Sequence, residues 1–297
     1  MASLTNTMFD ICCVGHITSD KVVTTEAVKY MAGGTAFYFS NAVNKLNLKF
    51  LLVTALAPAE MHYVDDLRAK AIEVKVQPSA HTVYFENIYA EDQDQRAQNV
   101  LQKADPFIIE ELNAIDAKIF HLGPLLADDI STPLIKMLAA KASISLDVQG
   151  YLRKVVNKKV HAVDWPDKRE ALQYVGILKA DVAELQALTG CSAVKNGVKT
   201  LVDWGIKEIV ITNGSQGSLI YYEDRFYDIP AYKPEVVADA TGCGDTYMAG
   251  YLYQRTKGTD IQQAGEFASA MAGLKTETSG PFWGTEEDVL EFMSTNS

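Results

Sequence analysis

Residues 236–252 read VVADATGCGDTYMAGYL. Within them Thr241-Gly242-Cys243-Gly244 places two glycines where the backbone can turn tightly without a Cβ penalty. Tyr247, Met248, Tyr251 and Leu252 then recur at helical spacing, so the turn is the N-terminus of a helix. The N–H groups of residues 242–244 and the positive end of the helix dipole make an anion site there, suited to a phosphoryl group in transfer. Asp245 stands at the same helix start, where a carboxylate would repel a bound anion. Such a group fits a base that takes a proton from a substrate hydroxyl better than it fits a binding group. For these residues taken alone, an N-capping aspartate on an ordinary glycine-rich turn is the competing reading.

The longer pattern DATGCGDTYMAG resembles the DTxGAGDxFxxG signature of the ribokinase-like carbohydrate kinases, the PfkB family. Asp239, Thr241, Gly242, Gly244, Asp245 and Gly250 match, and Cys243 replaces the usual alanine. The resemblance implies a three-layer α/β/α sandwich with a mostly parallel central sheet and a small β lid. It also implies Asp245 as base, the backbone of Gly242, Cys243 and Gly244 as anion hole, and Thr241 on the nucleotide side. Asp239 would shape a neighbouring loop for a monovalent cation, K⁺ in many members.

Composition sets outer limits. A chain of 297 residues with 48% hydrophobic content suits one large α/β domain. The 27 basic and 38 acidic residues give a formal charge of -11, which argues against a nucleic-acid or anionic-membrane partner. Four cysteines, Cys12, Cys13, Cys191 and Cys243, have neither disulfide-framework density nor metal spacing and fit reduced thiols. The opening MASLTNTMFD lacks a basic then apolar leader, and no long apolar run occurs, so a cytoplasmic protein is expected.

Along the chain, Phe9–Ile17 reads as a buried strand with Asp20 just beyond it. Composition alone makes Asp20 a solvated loop carboxylate. GHITSD, however, resembles the family's GxxxxD opening, whose Asp binds substrate hydroxyls at the base of the lid. Gly33-Gly34 precedes an amphipathic helix and resembles the family's GG substrate signature, with Tyr38 where sugar kinases commonly carry Asn. Asn41, one turn on, reads as part of a polar helix face. Strands are expected at Phe50–Leu56 and Ile72–Val76 around a helix at 61–70, and Thr82–Tyr89 mixes β-branched, aromatic and polar residues like an antiparallel strand exposed on one face. The small lid is therefore placed in residues 17–31 and 77–103, inserted into a single kinase domain spanning 1–297.

Strands ending at Leu122 and Val148 exit at Gly123-Pro124 and Gln149-Gly150, and such exits converge on one crevice in open α/β sheets. His121 reads as a core or strand-end histidine. In DVQGYLR, Asp147, Gln149 and Arg153 are similar to a family segment that contacts substrate or phosphate, with different spacing, and Arg153 also reads as a solvated charge. ILKADVAELQALTG is a strand then a helix with Asp181 as N-cap. By resemblance Asp181 and Glu184 occupy the family's NxxE element, which holds Mg²⁺ and nucleotide phosphates through water. ITNGSQGS reads as a hairpin, or by resemblance as the nucleotide turn, with Thr212, Gly214 and Gly217 matching. Ile261–Lys275 reads as a helix, and in relatives this region, here with Ala268 and Met271, packs against adenine. Thr285-Glu-Glu-Asp288 resembles a capping box.

The resemblance therefore implies an ATP- and Mg²⁺-dependent kinase acting on a hydroxyl of a small polyol. TVYFENIY, LDVQGYLR and GILKADVAEL are similar to the myo-inositol kinase branch. A nucleoside kinase and a non-catalytic sugar- or nucleotide-binding regulator on the same fold are the alternatives. Exposed lid strands would offer an edge for a homodimer.

Overall fold

A computed structural model describes residues 8–23, 28–89 and 96–296. The opening residues 1–7 and parts of the two expected lid segments, 24–27 and 90–95, lie outside the described residues. In chain order the strands are β1 (Phe9–Gly15), β2 (Thr18–Val23), β3 (Val28–Gly33), β4 (Phe50–Leu56), β5 (Glu73–Pro78), β6 (Val83–Tyr89), β7 (Arg96–Gln102) and β8 (Ala117–Gly123). They continue as β9 (Ser143–Asp147), β10 (Arg153–Val156), β11 (Lys159–Ala162), β12 (Ile177–Asp181), β13 (Glu208–Thr212), β14 (Ser218–Tyr222) and β15 (Arg225–Ile229). The helices are α1 (Gly34–Val43), α2 (His62–Ala69), α3 (Ile109–Leu112), α4 (Thr132–Ala139), α5 (Lys168–Ala171), α6 (Val182–Thr189), α7 (Val194–Asp203), α8 (Cys243–Thr256), α9 (Ile261–Lys275) and α10 (Glu286–Thr295). None is long and apolar enough to cross a membrane.

The central sheet has the order β15-β14-β13-β12-β9-β8-β1-β4-β5. Every neighbouring pair from β13 to β5 is parallel, and β14 and β15 add an antiparallel edge. Parallel strands need both faces covered, which explains why β1 reads as one apolar run instead of an alternating pattern. Ile11 and Cys13 enter a core with α1, α8 and α9, whereas Cys12 and Val14 enter a second core with α4, α6 and α7. The result is the expected α/β/α sandwich.

A second sheet, order β10-β11-β7-β6-β2-β3, stands over the C-terminal ends of the central strands β1 and β9, which lead directly into it. Val83, Phe85, Val100, Leu125 and Leu126 form a small apolar cluster beneath it. The expectation for Thr82–Tyr89 needs correcting in one respect: β6 pairs antiparallel with β7 but parallel with β2. The hairpin β10–β11 was not expected as sheet at all. Its two-residue turn, Asn157-Lys158, has both φ angles positive, 50° and 66°, the geometry favoured between twisted strands. The turn lacks the glycine that usually signals it.

Helix ends follow local chemistry. Asp181 and Glu184 form a reciprocal capping box on α6, and Gly190 ends that helix in the left-handed region. Thr285 and Asp288 do the same for the start of α10, as expected. At the end of the sheet remote from the β-strand exits, Glu208 is buried and joined to α8. It accepts from Tyr251 Oη at 2.8 Å and from Arg255 Nε and Nη2, each at 3.1 Å. Replacing it by alanine strands a guanidinium and a phenol. Glu208→Ala should therefore lower the unfolding free energy by about 3 kcal/mol, read from urea denaturation.

Candidate active site

The turn before α8 has the geometry its glycines require. Gly242 has φ +76°, and a Cβ there would lie 2.2 Å from Tyr38 Cδ1. No side chain caps α8. The candidate anion site is narrower than residues 242–244 suggest, because the Cys243 N–H donates to Ala240 O at 3.3 Å. The amides of Gly242 and Gly244 have no partner among the described residues. Burial pushes the Cys243 thiol up to about 11, so it borders the anion site as a neutral group.

Asp245 lies in the first turn of α8 and is half-buried. Burial and the neighbouring Asp147 carboxylate push its pKa up to about 7, against the opposing pull of Lys179 and a hydrogen bond from Thr35. Thr35 belongs to the start of α1, so two helix N-termini meet at this carboxyl group. A carboxyl group that titrates near neutrality can take a proton from a hydroxyl and return it.

Lys179 completes this arrangement and was missed in the sequence, where it reads as one more residue of a strand. Its register partner on β9 is Asp147. The ammonium is buried, 2.8 Å from Asp147 Oδ2 and 3.8 Å from Glu184 Oε2. Burial pulls the Lys179 pKa down, but Asp147 and Glu184 outweigh it and hold it above the ordinary lysine value. Asp147 is correspondingly held low: burial raises it, and Lys179 with the Gln149 N–H more than reverses that. A Cβ on Gly244 would lie 3.3 Å from Lys179 Nζ, so the cation sits directly behind the anion turn. The available signal was a lysine inside an apolar strand, aligned with an acid on the next.

In the second sheet, Asp20 sits on β2 and faces Gly33 of β3, where a Cβ would come within 2.5 Å of Asp20 Oδ2. Thr18 Oγ1, 2.8 Å from the same point, is buried without a hydrogen-bond partner among the described residues. Gly34, at φ +84°, opens α1. Gln149 is half-buried just after β9, while Arg153 opens β10 in the second sheet. Tyr38 requires a correction. Its ring is buried beneath Gly242 instead of facing the cleft, because the turn needs an aromatic floor where a side chain cannot fit. Asn41 is likewise buried, not on a polar face: it donates to Phe37 O and accepts from Lys70. His121 is a core residue, stacked on Phe39 and driven down to about 4 by burial.

On the other side, Thr212 ends β13 and leads into an exposed turn through Gly214 and Gly217, both at positive φ. Ser218 at the end of that turn is tied to Tyr247 of α8 at 2.7 Å. Asp181 and Glu184 use one oxygen each in their capping box. Their remaining oxygens have no protein donor among the described residues. Among those residues no three His, Cys, Asp or Glu side chains gather to hold a metal. That donor set fits a hard ion that keeps its waters and binds mainly to phosphate oxygens. Ala268 and Met271 need correcting: both are fully buried, and both pack on Gly250 of α8, where a Cβ would meet Met271 Sδ at 2.9 Å. Close approach of α8 and α9 over that glycine turns this face of α9 inward, away from any nucleotide.

Asp239 also differs from expectation. Its carboxylate accepts from Thr241 N at 2.8 Å and Gly280 N at 3.3 Å. Burial raises its pKa, but those bonds and Lys275 hold it below the usual carboxylate range. The Lys275 ammonium donates to Asp239 O at 2.7 Å and lies 3.5 Å from Asp239 Oδ2. These residues do not fit a monovalent cation, since a covalently attached cation already stands there.

Known kinases resemble the chain along most of its length. The chain is 28% identical to a cytidine kinase of Thermococcus kodakarensis over 265 residues, 86% of this chain and 92% of that protein. It is 25% identical to a nucleoside kinase of Methanothermobacter thermautotrophicus over 293 residues, covering 91% of this chain and 90% of that one. A solved pyrophosphate-dependent kinase in the ribokinase family, complexed with a pyrophosphate analog and myo-inositol, superposes with TM-score 0.84 at 26% identity, covering 95% of this chain and 99% of that one. Arabidopsis thaliana ribokinase with ribose and ATP shares the fold, with TM-score 0.80 at 18% identity over 97% and 99% of the two chains. Residues 3–286 match the family described as pfkB family carbohydrate kinase, and the chain belongs to that family of phosphotransferases acting on hydroxyl groups.

Proposed function

We propose that this kinase transfers the terminal phosphoryl group of ATP to a hydroxyl of a small polyol, a myo-inositol-like cyclitol. The observation that carries the proposal is Asp245, poised near neutrality on the first turn of α8 beside two unpartnered glycine amides. Asp245 takes the proton from the acceptor hydroxyl. The Gly242 and Gly244 amides and the α8 dipole hold the moving phosphoryl group, with Lys179 adding positive potential from behind. Asp20, the orphaned Thr18 hydroxyl, Gly33, Gly34 and Gln149 receive the acceptor. Thr212, Gly214, Gly217 and Thr241 line the donor side, and Asp181 with Glu184 would hold Mg²⁺ through water. Mg²⁺, when bound, neutralises charge on the donor phosphates. The second sheet acts as a lid that excludes water from the transfer, and the whole chain forms one kinase unit around it.

The cyclitol reading is supported by full-length likeness to the solved kinase described with myo-inositol. A nucleoside acceptor is the second reading, supported by the full-length likeness to the cytidine kinase. Product formation from myo-inositol, cytidine, ribose and fructose, each with ATP and with pyrophosphate, distinguishes them. Turnover of cytidine with none of myo-inositol would reject the cyclitol.

Two further outcomes test the base. Asp245→Asn should reduce turnover ~10²-fold or more while calorimetry shows donor binding retained. Because the raised carboxyl group must be ionised to accept a proton, kcat/KM should fall about tenfold per pH unit below about 7. A profile that stays flat down to about pH 5.5 would remove Asp245 from that role.

A further inference from the structure

Lys275 is the last residue of α9, and its side chain has no exposed surface. A buried lysine is costly unless its charge is used, and here every partner belongs to the base of the catalytic turn. The ammonium donates to the Asp239 carbonyl at 2.7 Å and faces the Asp239 carboxylate at 3.5 Å. It also lies 6.0 Å from the centre of the Tyr38 ring. That ring supports Gly242, and Asp239 Oδ1 receives the Thr241 N–H at 2.8 Å. The adjoining backbone is held from the same helix end, since Ala238 N and Asp239 N both donate to Thr276 O. One cation thus fixes the residues that enter the turn and the aromatic floor beneath it.

We propose that the Lys275 ammonium fills, as part of the chain, the position a monovalent cation would take beside the phosphoryl-transfer turn, so that this kinase needs neither K⁺ nor Na⁺. The proposal rests on reading that turn as the transfer site. An ammonium group and a dehydrated potassium ion are similar in charge and size, and both seek carbonyl and carboxylate oxygens. Asp239 offers both kinds of oxygen to Lys275. Lys275 is a positioning residue: it acts through the Asp239–Gly242 backbone and does not touch the reacting atoms. The attached cation cannot dissociate, so the turn is held whatever the salt. A cavity of about 470 Å³, lined by Lys275, Glu277, Thr278, Phe282 and Trp283 among others, lies beside this end of α9.

The test compares wild type, Lys275→Ala and Lys275→Met in KCl, NaCl and tetramethylammonium chloride at equal ionic strength. Activity is measured with whichever acceptor the panel above identifies. Wild-type kcat should agree within about twofold across the three salts, and its Tm should not depend on which cation is present. Lys275→Ala should lose ~10²-fold in kcat in tetramethylammonium and regain about tenfold or more with K⁺, ammonium or a short alkylamine, with Tm rising in parallel. Lys275→Met retains bulk without charge and should lose activity with little recovery. Specific activation or thermal stabilisation of the wild type by K⁺ overturns the proposal, as does full activity of Lys275→Met in tetramethylammonium. The wild-type arm decides the matter if both variants fail to fold. The Tm series needs no turnover, so it separates failure of this proposal from failure of the kinase assignment at this site.

Discussion

The ion pair between Lys179 and Asp147, 2.8 Å long and closed to water, is the constraint on which the active end depends. It joins adjacent parallel strands at their exits, and Glu184 extends it to the start of α6. Breaking such a buried pair from one side costs about 3–5 kcal/mol, because the remaining charge has no solvent to turn to. The pair therefore fixes where β9, β12 and α6 can stand relative to α8. It also balances the charge around Asp245: burial, then Asp147 and Glu184, raise that carboxyl group, and Lys179 opposes the rise.

The chain is acidic overall, yet the proposed transfer brings phosphates to this end. The positive potential comes from inside. Lys179 lies behind Gly244, and Lys275 lies beneath the residues that lead into the turn. Neither lysine reaches into solvent, so neither can collapse onto a phosphate and hold the product as a flexible surface lysine would. In the proposed transfer the turn meets its anion with backbone amides, while the side-chain charges act through the structure. Fixed dipoles and charges of this kind need little reorganisation when charge moves.

Much of the fold was legible because it is carried by local patterns. The apolar runs of β1, β4 and β8, the cap at Asp181 and the glycines of the turn each report on their own neighbourhood. What escaped was carried by juxtaposition. Lys179 looks like a single charge inside an apolar strand and Lys275 like one at the end of a helix, and only the third dimension gives them acids to meet. The resemblance sets Tyr38 beside the substrate and Ala268 with Met271 beside adenine, but close approach over Gly242 and Gly250 turns them inward. The turn of the hairpin at 153–162 has no glycine, so nothing in Asn157-Lys158 marks it in the sequence.

The make-up of the second sheet bears on how the chain is built. Its strands come from three separated regions, 18–33, 83–102 and 153–162, and β11 meets β7 through the pairing of Lys159 with Asn99. The central sheet is equally non-local, with β1 flanked by β4 and β8. Such topologies close long loops before their contacts reward them, and they assemble slowly. During synthesis, β7 waits with an unpaired edge until residue 159 has emerged. The charged and polar sequence of β7, RAQNVLQ, suits a strand that must stay soluble while it waits.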